Sequence, residues 1–577
     1  TVTVDGNPVA NPAELRQMER YVAKAHEQPR SARAVQTTAA ASGEGGAAIS
    51  LAPGESYDAV KIAVEEDGLY FIDGERIAEF LGADWQNPED KVEQLITQGE
   101  LALTNRGEPV AYLPAGDGSG LYFYGQAVDS IYTDENIYWL RLGRGVQMDQ
   151  VRGQPPRGPS AEDQTFPEVL HFEQDLEPFV ALADDPESDY WGWALIYVLP
   201  SFPDWATKSF ELQSDGRAAD GEATLRVLLY GGTDTAADAD HQTSVYLNGE
   251  RIGQSEWDGI GYHELELPFN AELLNDGANT VEVRGSLNDG VGWSAFYVDS
   301  FELTYERRYE AVQDVLAFTA NSDDPVTVTG FGSRDIWILD VTKPNLPQLL
   351  MASRVDRRGG ADYNVTFLAK GEDVSYLAVT RDAASEPAWV VGDTGSSLRS
   401  TSNAADYVVI APAALSEGAQ ALADYRQGQG LEALVAGLED IYDEFNDGLS
   451  SPKAIHDFLS YAYVEWQKAP RYVVLAGNGS YDYRDNLGAG DNLVPPLLVS
   501  TPHGLYAADN RFVDVVGDDS VPEMAIGRLP VVSAEELQAL VGKITAYEGA
   551  VAGPPRGSRI GGWPSTGGCS STTSKTC

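Results

Sequence analysis

Four acidic residues, Asp509, Asp514, Asp518 and Asp519, lie close together in a stretch that also contains Asn510 and Gly517. Such a composition is typical of a loop. Closely spaced carboxylates repel one another, and a hard cation with oxygen ligands relieves that repulsion. The cluster therefore predicts a structural calcium site, and Asp509, Asp514, Asp518 and Asp519 are its candidate ligands.

Two short motifs contain groups that could serve in hydrolysis. His503 precedes a glycine but follows Ser-Thr-Pro rather than an apolar strand, so it is only a secondary catalytic candidate. Ser480 ends a Gly-Asn-Gly-Ser run, yet the Gly-x-Ser-x-Gly pattern of serine hydrolases is absent, and the acidic Asp482 would not help to deprotonate it. The run also lacks the glycine patterns of nucleotide-binding loops, so we expect a structural turn and no organic cofactor.

Cysteine is confined to Cys569 and Cys577. Both lie in residues 549–577, which are rich in Gly, Ser and Thr and have almost no apolar periodicity, so the segment is interpreted as a disordered or aberrant tail. A thiol becomes a strong nucleophile where a base or a positive environment lowers its pKa, and this tail provides neither. The sequence thus predicts no catalytic cysteine in the folded body.

The chain of 577 residues is strongly acidic, with 39 Lys and Arg against 89 Asp and Glu and a net charge of -50. This charge would repel nucleic acid and anionic membrane surfaces, so neither is an expected partner. No run of 18 apolar residues could span a bilayer. The chain opens at Thr1 without an initiator Met or a signal sequence, which indicates a mature or clipped fragment.

Strand patterns dominate the first 400 residues. Residues 1–56 are expected to form an amphipathic helix near 12–26 and a flexible linker, followed by a small β-rich module over 57–150. Within that module, residues 59–64 and 68–72 are predicted to pair. Residues 165–306 show short alternating strands with turn signals such as Asn248-Gly249, a pattern that favours a jelly-roll-like β-sandwich. Residues 307–400 form a further β-rich module.

The pattern changes to alternating strands and helices over residues 405–548. Apolar runs over 407–410, 431–435, 472–476 and 524–526 predict strands, and helices are predicted over 416–428, from Ser451-Pro452 to about residue 466, and from Ser533 to about Tyr547. Alternation of this kind implies right-handed crossovers and a parallel sheet.

Several phrases in this region resemble the gingipain-type cysteine peptidases, whose domain has a caspase-like fold. The match runs from Tyr407 to Glu548. Phrases further upstream also look like the β-rich modules that precede such domains in large members of the family, so the resemblance covers most of residues 57–548. The phrases are Ala423-Asp424-Tyr425-Arg426, Ile441-Tyr442-Asp443-Glu444-Phe445, Ile455-His456-Asp457-Phe458-Leu459, Arg471 to Asp482, and Ala525-Ile526-Gly527-Arg528-Leu529-Pro530.

The resemblance implies a cysteine thiolate activated by a histidine, each at the end of a core strand and both beyond the position equivalent to Glu548. This chain contains no Gly-His-Gly segment or strand-borne Cys after Glu548, so we expect a truncated caspase-like domain without the dyad. In position, Asp509 resembles the acidic residue with which arginine-specific members of the family line their primary specificity pocket.

Three functions follow from these features. The first is a secreted, multidomain endopeptidase of the gingipain type, with protein or peptide substrates in intact relatives and an inactive chain in the form given. The second is a non-enzymatic surface or adhesion protein whose β-sandwich binds protein or glycan. The third is a serine hydrolase that uses Ser480. The sequence does not indicate an oligomeric state.

Overall fold

The computed structural model of the chain describes residues 2–4, 7–9, 56–153, 156, 164–237, 239–320, 324–359, 362–371, 373–517 and 520–551. The chain divides into two compact units, residues 1–44 and 45–577. In the first unit, strands Val2–Val4 and Asn7–Val9 pair antiparallel. The predicted helix near 12–26, the linker, and the tail with Cys569 and Cys577 lie outside the described residues.

The module predicted over residues 57–150 contains two antiparallel-rich sheets and two helices, Gly74–Leu81 and Pro88–Gln98. The helices were not predicted, although Ile77, Ala78 and Leu81 give the first one a buried face. In spatial order, the first sheet contains Trp389–Asp393, Ala59–Val64, Asn136–Leu142, Leu101–Asn105 and Glu108–Pro109. The second sheet contains Val146–Gln147, Ala111–Pro114, Gly120–Gly125 and Gly68–Asp73.

The predicted pairing of residues 59–64 with 68–72 is wrong, because the two strands belong to different sheets. Strand Ala59–Val64 is buried at all six positions. Its alternate residues pack into two different cores, one on each face of the sheet. Within the sheet it pairs with Asn136–Leu142 on one side and with the distant Trp389–Asp393 on the other.

Residues 165–306 form the predicted sandwich of two antiparallel sheets. Its core lies between the sheets and includes Val227, Val283 and Phe301. The Asn248-Gly249 hairpin joins two of the strands with positive φ angles of 50° and 89° at its two turn residues. The first sheet contains Thr165–Glu173, Ser294–Arg308, Glu222–Gly231 and Gly261–Asn270, with Ala194–Val198 on Ser294–Arg308, and the second contains Thr207–Ser214, Gly277–Ser286, His241–Leu247 and Glu250–Trp257.

The stretch predicted as a module over 307–400 contributes two further sheets and exchanges strands with the first module. Its strand Trp389–Asp393 lies in a sheet of the first module, as described above. Conversely, Asp149–Val151 at the end of the first module pairs in parallel with Gln348–Leu350 of this stretch. The first of these sheets contains Asp149–Val151, Gln348–Leu350, Ile336–Asp340, Val374–Thr380 and Val315–Ala320. The second contains Pro325–Phe331, Asp362–Leu368 and Arg354–Gly359.

The region from residue 405 is the predicted α/β domain with a parallel sheet. The strands follow the spatial order Ala433–Gly437, Tyr407–Ala411, Tyr472–Ala476 and Ala525–Leu529, and all pair in parallel. Adjacent residues of the second strand, Val408 and Val409, pack into separate cores on opposite faces. Helices Ser416–Gly428 and Ala534–Val551 cover one face, and Leu438–Phe445 and Pro452–Glu465 cover the other.

Short elements complete the described part of the chain. They are strand pairs Glu177–Pro178 with Trp191–Gly192 and Leu498–Thr501 with Gly504–Ala507, and 3-10 turns Pro203–Ala206, Ala271–Leu273, Arg381–Ala383, Ala413–Leu415 and Asp509–Val513. No helix within the described ranges is both long and apolar enough to cross a membrane.

A buried ion pair joins the first module to the α/β domain. Lys61 Nζ lies 2.6 Å from Asp443 Oδ1, and the two side chains are only 10% and 9% exposed. Nearby, Trp139 Nε1 donates a hydrogen bond of 2.8 Å to the carbonyl of Asp447. Burial raises the pKa of the Asp443 carboxyl to about 7, against the lowering effect of Lys61, and the neighbouring Asp393 raises it further.

We expect docking of this module to weaken as pH rises. An exposed Asp443 would lose its proton near its ordinary pKa of 3.8, whereas the docked one keeps it up to about 7. The docked state therefore binds more protons between these pH values. The stabilisation of docking by Asp443 is full below about pH 4 and is lost as the pH rises toward 7. Asp440, whose pKa burial raises to about 6, acts in the same direction.

The measurement is hydrogen exchange of the backbone in Ala59–Val64 and Leu438–Phe445 between pH 5 and 8, corrected for intrinsic exchange. Protection should fall with pH in the natural protein and should depend less on pH in Asp443→Asn. Equal pH dependence in both proteins would contradict the assignment to this carboxyl. The charged groups around Asp443 are Lys61, Arg141, Asp393 and Asp440.

Candidate functional site

The carboxyl ends of the parallel strands form the edge at which open α/β sheets hold their sites. Strand Tyr472–Ala476 ends there in the Gly-Asn-Gly-Ser run. The Gly477 amide donates to the carbonyl of Leu529, and the Asn478 amide donates to that of Val531, at 3.0 and 2.9 Å. A Cβ on Gly479 would lie 2.6 Å from the carbonyl oxygen of Val494, so only glycine fits between the two segments.

Ser480 has the role of a turn residue. Its amide donates to Asn492 Oδ1 at 2.9 Å, and its hydroxyl accepts from the amide of Asp482 at 3.2 Å. The carboxylate of Asp482 is buried and accepts in turn from the amides of Asn486 and Leu487. No hydrogen bond within the described ranges joins Ser480 to a histidine. The geometry gives a serine mechanism no base, and it agrees with the expected structural turn.

Asp509 lies at the same edge and pairs with Arg528 of the strand Ala525–Leu529. Arg528 Nε and Nη2 donate to its two carboxylate oxygens at 2.9 and 2.7 Å. The remaining nitrogen, Nη1, donates to the carbonyls of Gly477 and Val494 at 3.0 and 2.6 Å. One guanidinium thus ties together the edge strand, the glycine run and the aspartate that sequence reasoning assigned to a specificity pocket.

Asp514, a predicted calcium ligand, is also paired with an arginine. Its Oδ2 accepts from Arg511 at 2.8 Å and from the amide of Ser520 at 3.0 Å. Asp518 and Asp519 lie outside the described residues. Asp509 and Asp514, the two predicted calcium ligands within the described residues, are therefore each paired with an arginine.

His503 is exposed at the turn between Leu498–Thr501 and Gly504–Ala507. This hairpin contacts the β-sandwich: the Leu505 amide donates to the carbonyl of Val180 at 2.9 Å. Gly504 has a φ of 95°, and a Cβ there would lie 2.5 Å from Ala181. The His-Gly pair thus belongs to a docking hairpin, and the glycine is required by the close approach of the sandwich.

A second group of polar residues was not found from the sequence. Glu173, Asp175 and Asp189 each place one carboxylate oxygen within 4.8 Å of the others, and they are the only such trio in the part of the chain that the structure describes. Burial raises the pKa of Asp189 to about 6 and that of nearby Asp299 to about 7. No spacing rule distinguishes these four residues among 89 acidic ones. The structure thus contains a candidate acidic metal-binding cluster, and it lies on the sandwich rather than in the predicted loop.

The layered parallel sheet, its glycine-lined carboxyl edge and the upstream β modules define a multidomain protein with a parallel α/β domain. The model of Peptidase family C25 matches residues 400–565. The α/β region of this chain is therefore similar to this peptidase family, as the sequence phrases predicted.

A solved structure supports the multidomain organisation. Dimeric latent PorU from Porphyromonas gingivalis matches with a TM-score of 0.58 and 18% identity, over 86% of this chain and 50% of PorU. The chain thus spans about half the length of that relative. No curated protein sequence matches this chain.

Two carbohydrate-binding modules match parts of the chain at much lower scores. The CBM36-1 domain of a multidomain xylanase from the hindgut metagenome of Trinervitermes trinervoides has a TM-score of 0.16 and 12% identity, over 24% of this chain and 95% of the module. A family 35 module from Clostridium thermocellum has a TM-score of 0.14 and 13% identity over the same shares. At these scores the likenesses carry no functional argument.

Proposed function

We propose that this chain supplies the upstream modules and the α/β sheet of a secreted cysteine endopeptidase that acts on protein substrates. The observation that carries the proposal is the match of residues 400–565 to Peptidase family C25 on a parallel sheet whose carboxyl edge is built by Gly477 to Asp482 and Arg528. The family's thiol chemistry needs a cysteine beside a base, with amides oriented toward the oxyanion.

We also propose a location for the protein and a calcium ion in one of its loops. A net charge of -50 supports secretion or display at the cell surface, where a strongly acidic surface remains solvated. Calcium in the loop of Asp509 to Asp519 is proposed on the spacing of its four aspartates alone. Arg528 and Arg511 already pair with Asp509 and Asp514, so they would compete with a calcium ion for these two carboxylates.

The chain as given should not hydrolyse peptides by a cysteine mechanism. Its only thiols, Cys569 and Cys577, lie in a Gly/Ser/Thr-rich sequence with no histidine near them. A thiol without a fixed base has few thiolates at neutral pH and no oriented proton acceptor. The measurement is turnover of a peptide library with calcium and reductant, for the chain and for its Cys569→Ala, Cys577→Ala variant.

Thiol-dependent turnover that disappears in the double variant would refute this expectation. Turnover that persists in the double variant and disappears in Ser480→Ala would instead support the serine hydrolase. Retention of a protein or glycan on the chain without cleavage would favour the adhesion protein.

A further inference from the structure

The strand register places Glu173 and Asp299 on one outer face of the sandwich. Glu173 pairs with Ser300 at the end of strand Thr165–Glu173. On Ser294–Arg308, both Val298 and Phe301 face the core, and the register with the neighbouring strand shifts between them. This β-bulge directs Asp299 outward, beside Glu173. Asp299 is nevertheless only 4% exposed, because the face is covered.

Asp175 and Asp189 belong to the segment that covers this face. The backbone amide of Trp191 donates to Asp189 Oδ1 at 2.8 Å, and the hydroxyl of Tyr262 donates to the main-chain oxygen of Asp189 at 2.8 Å. These bonds hold the Asp189 carboxylate next to Glu173 and Asp175, so that one oxygen of each lies within 4.8 Å of the others.

Two buried carboxylate oxygens in this group have no hydrogen-bond donor among the described residues, Oδ1 of Asp175 and Oδ1 of Asp299. The positive groups present are Arg484, which binds the other oxygen of Asp175, and His171, whose Nε2 lies 2.8 Å from Glu173. Four acids thus face one guanidinium and one imidazole. A buried oxygen without a donor is costly unless a further ligand completes it.

We propose that Glu173, Asp175 and Asp189 bind a calcium ion, which the sequence did not locate, with the buried Asp299 as a neighbouring carboxyl outside the trio. All three ligands are carboxylates, the donors that hard cations prefer, and no thiolate or free imidazole favours zinc. Calcium binds oxygens at about 2.3–2.6 Å, so two of its ligands are separated by at most about 5 Å, in agreement with the spacing of the trio. Magnesium would require a tighter octahedron.

The site lies where the sandwich contacts the α/β domain. Arg484, which follows the glycine run of that domain, binds Asp175, and the hydroxyl of Tyr190 donates to the carbonyl of Tyr481 at 2.7 Å. An ion held by the three acids would fix the segment that carries Asp175 and Asp189 and, through Arg484, the loop after the parallel strand.

The test uses the full chain, stripped with a chelator and titrated with calcium chloride by calorimetry. Terbium luminescence is the second readout, because Trp191 and Tyr262 lie beside the site and can sensitise the ion. We expect binding at micromolar to millimolar calcium, and a loss of affinity of at least tenfold in Asp175→Asn and in Glu173→Gln. Asp184→Asn removes an exposed charge from the same segment and should change affinity less than twofold.

Asp514→Asn distinguishes this site from the loop of Asp509 to Asp519. Affinity that is lost in Asp514→Asn but retained in Asp175→Asn would overturn the proposal, and so would the absence of calcium binding to the natural chain. If Asp175→Asn does not fold, the more exposed Glu173→Gln and the titration of the natural chain decide the question.

Discussion

Replacing Lys61 with Met should weaken docking of the first module on the α/β domain by about 3 kcal/mol at pH 8, because it leaves the buried Asp443 carboxylate without a cation. At pH 5 the cost should be smaller, because the raised pKa of Asp443 keeps that carboxyl protonated. The measurement is hydrogen exchange of Ala59–Val64 and Leu438–Phe445, whose protection reports opening of this contact.

A matched control is provided by a second lysine that joins a β module to the same domain. Lys453 pairs with Glu187 of the sandwich, but these side chains are 54% and 45% exposed. Water and salt screen such a pair, so Lys453→Met should cost less than about 1 kcal/mol. Equal losses in the two variants would show that burial does not determine the strength of these contacts.

Replacing Arg528 with Met should destabilise the carboxyl edge of the parallel sheet by about 3 kcal/mol. The change removes both donors to Asp509 and leaves the carbonyls of Gly477 and Val494 without a partner from this side chain, which is 13% exposed. Faster hydrogen exchange should appear in strands Tyr472–Ala476 and Ala525–Leu529, while the sandwich should be unaffected.

The double variant Arg528→Met, Asp509→Leu separates the charge from the lost carbonyl bonds. Removing the uncompensated carboxylate should restore about half of the lost stability. Arg471→Met, at a 64% exposed position beside the same sheet, serves as the neutral control. If the double variant is less stable than Arg528→Met alone, the carboxylate has another partner and the ion pair is not its main support.

Three of the four helices of the α/β domain were predictable because their signals are local, whereas the helix Leu438–Phe445 was not predicted. Ser451 accepts from the amide of Lys453 and begins the helix Pro452–Glu465, as its capping position indicates. The helix Ser416–Gly428 has the predicted bounds. The strand predicted over 431–435 lies at Ala433–Gly437, since its ends are set by pairing with Tyr407–Ala411 rather than by propensity.

Strand partners and the acidic site were not predictable, because both depend on contacts between residues far apart in the chain. Nothing in the alternation of residues 59–64 specifies Trp389–Asp393 as a neighbour. Likewise, Glu173 and Asp299 meet only because a bulge interrupts the strand Ser294–Arg308. The pattern at Ala525 to Pro530 indicated a family, but the role of Arg528 required the positions of Asp509, Gly477 and Val494.

The exchange of strands between the first and third β modules sets an order for folding during synthesis. Ala59–Val64 emerges early, but its neighbour Trp389–Asp393 is made more than three hundred residues later. At a ribosomal rate of about 10 residues per second, one side of that apolar strand stays unpaired for roughly half a minute. An open edge of this kind is a template for misassembly with other nascent chains. Shielding by a chaperone during this interval would favour correct assembly.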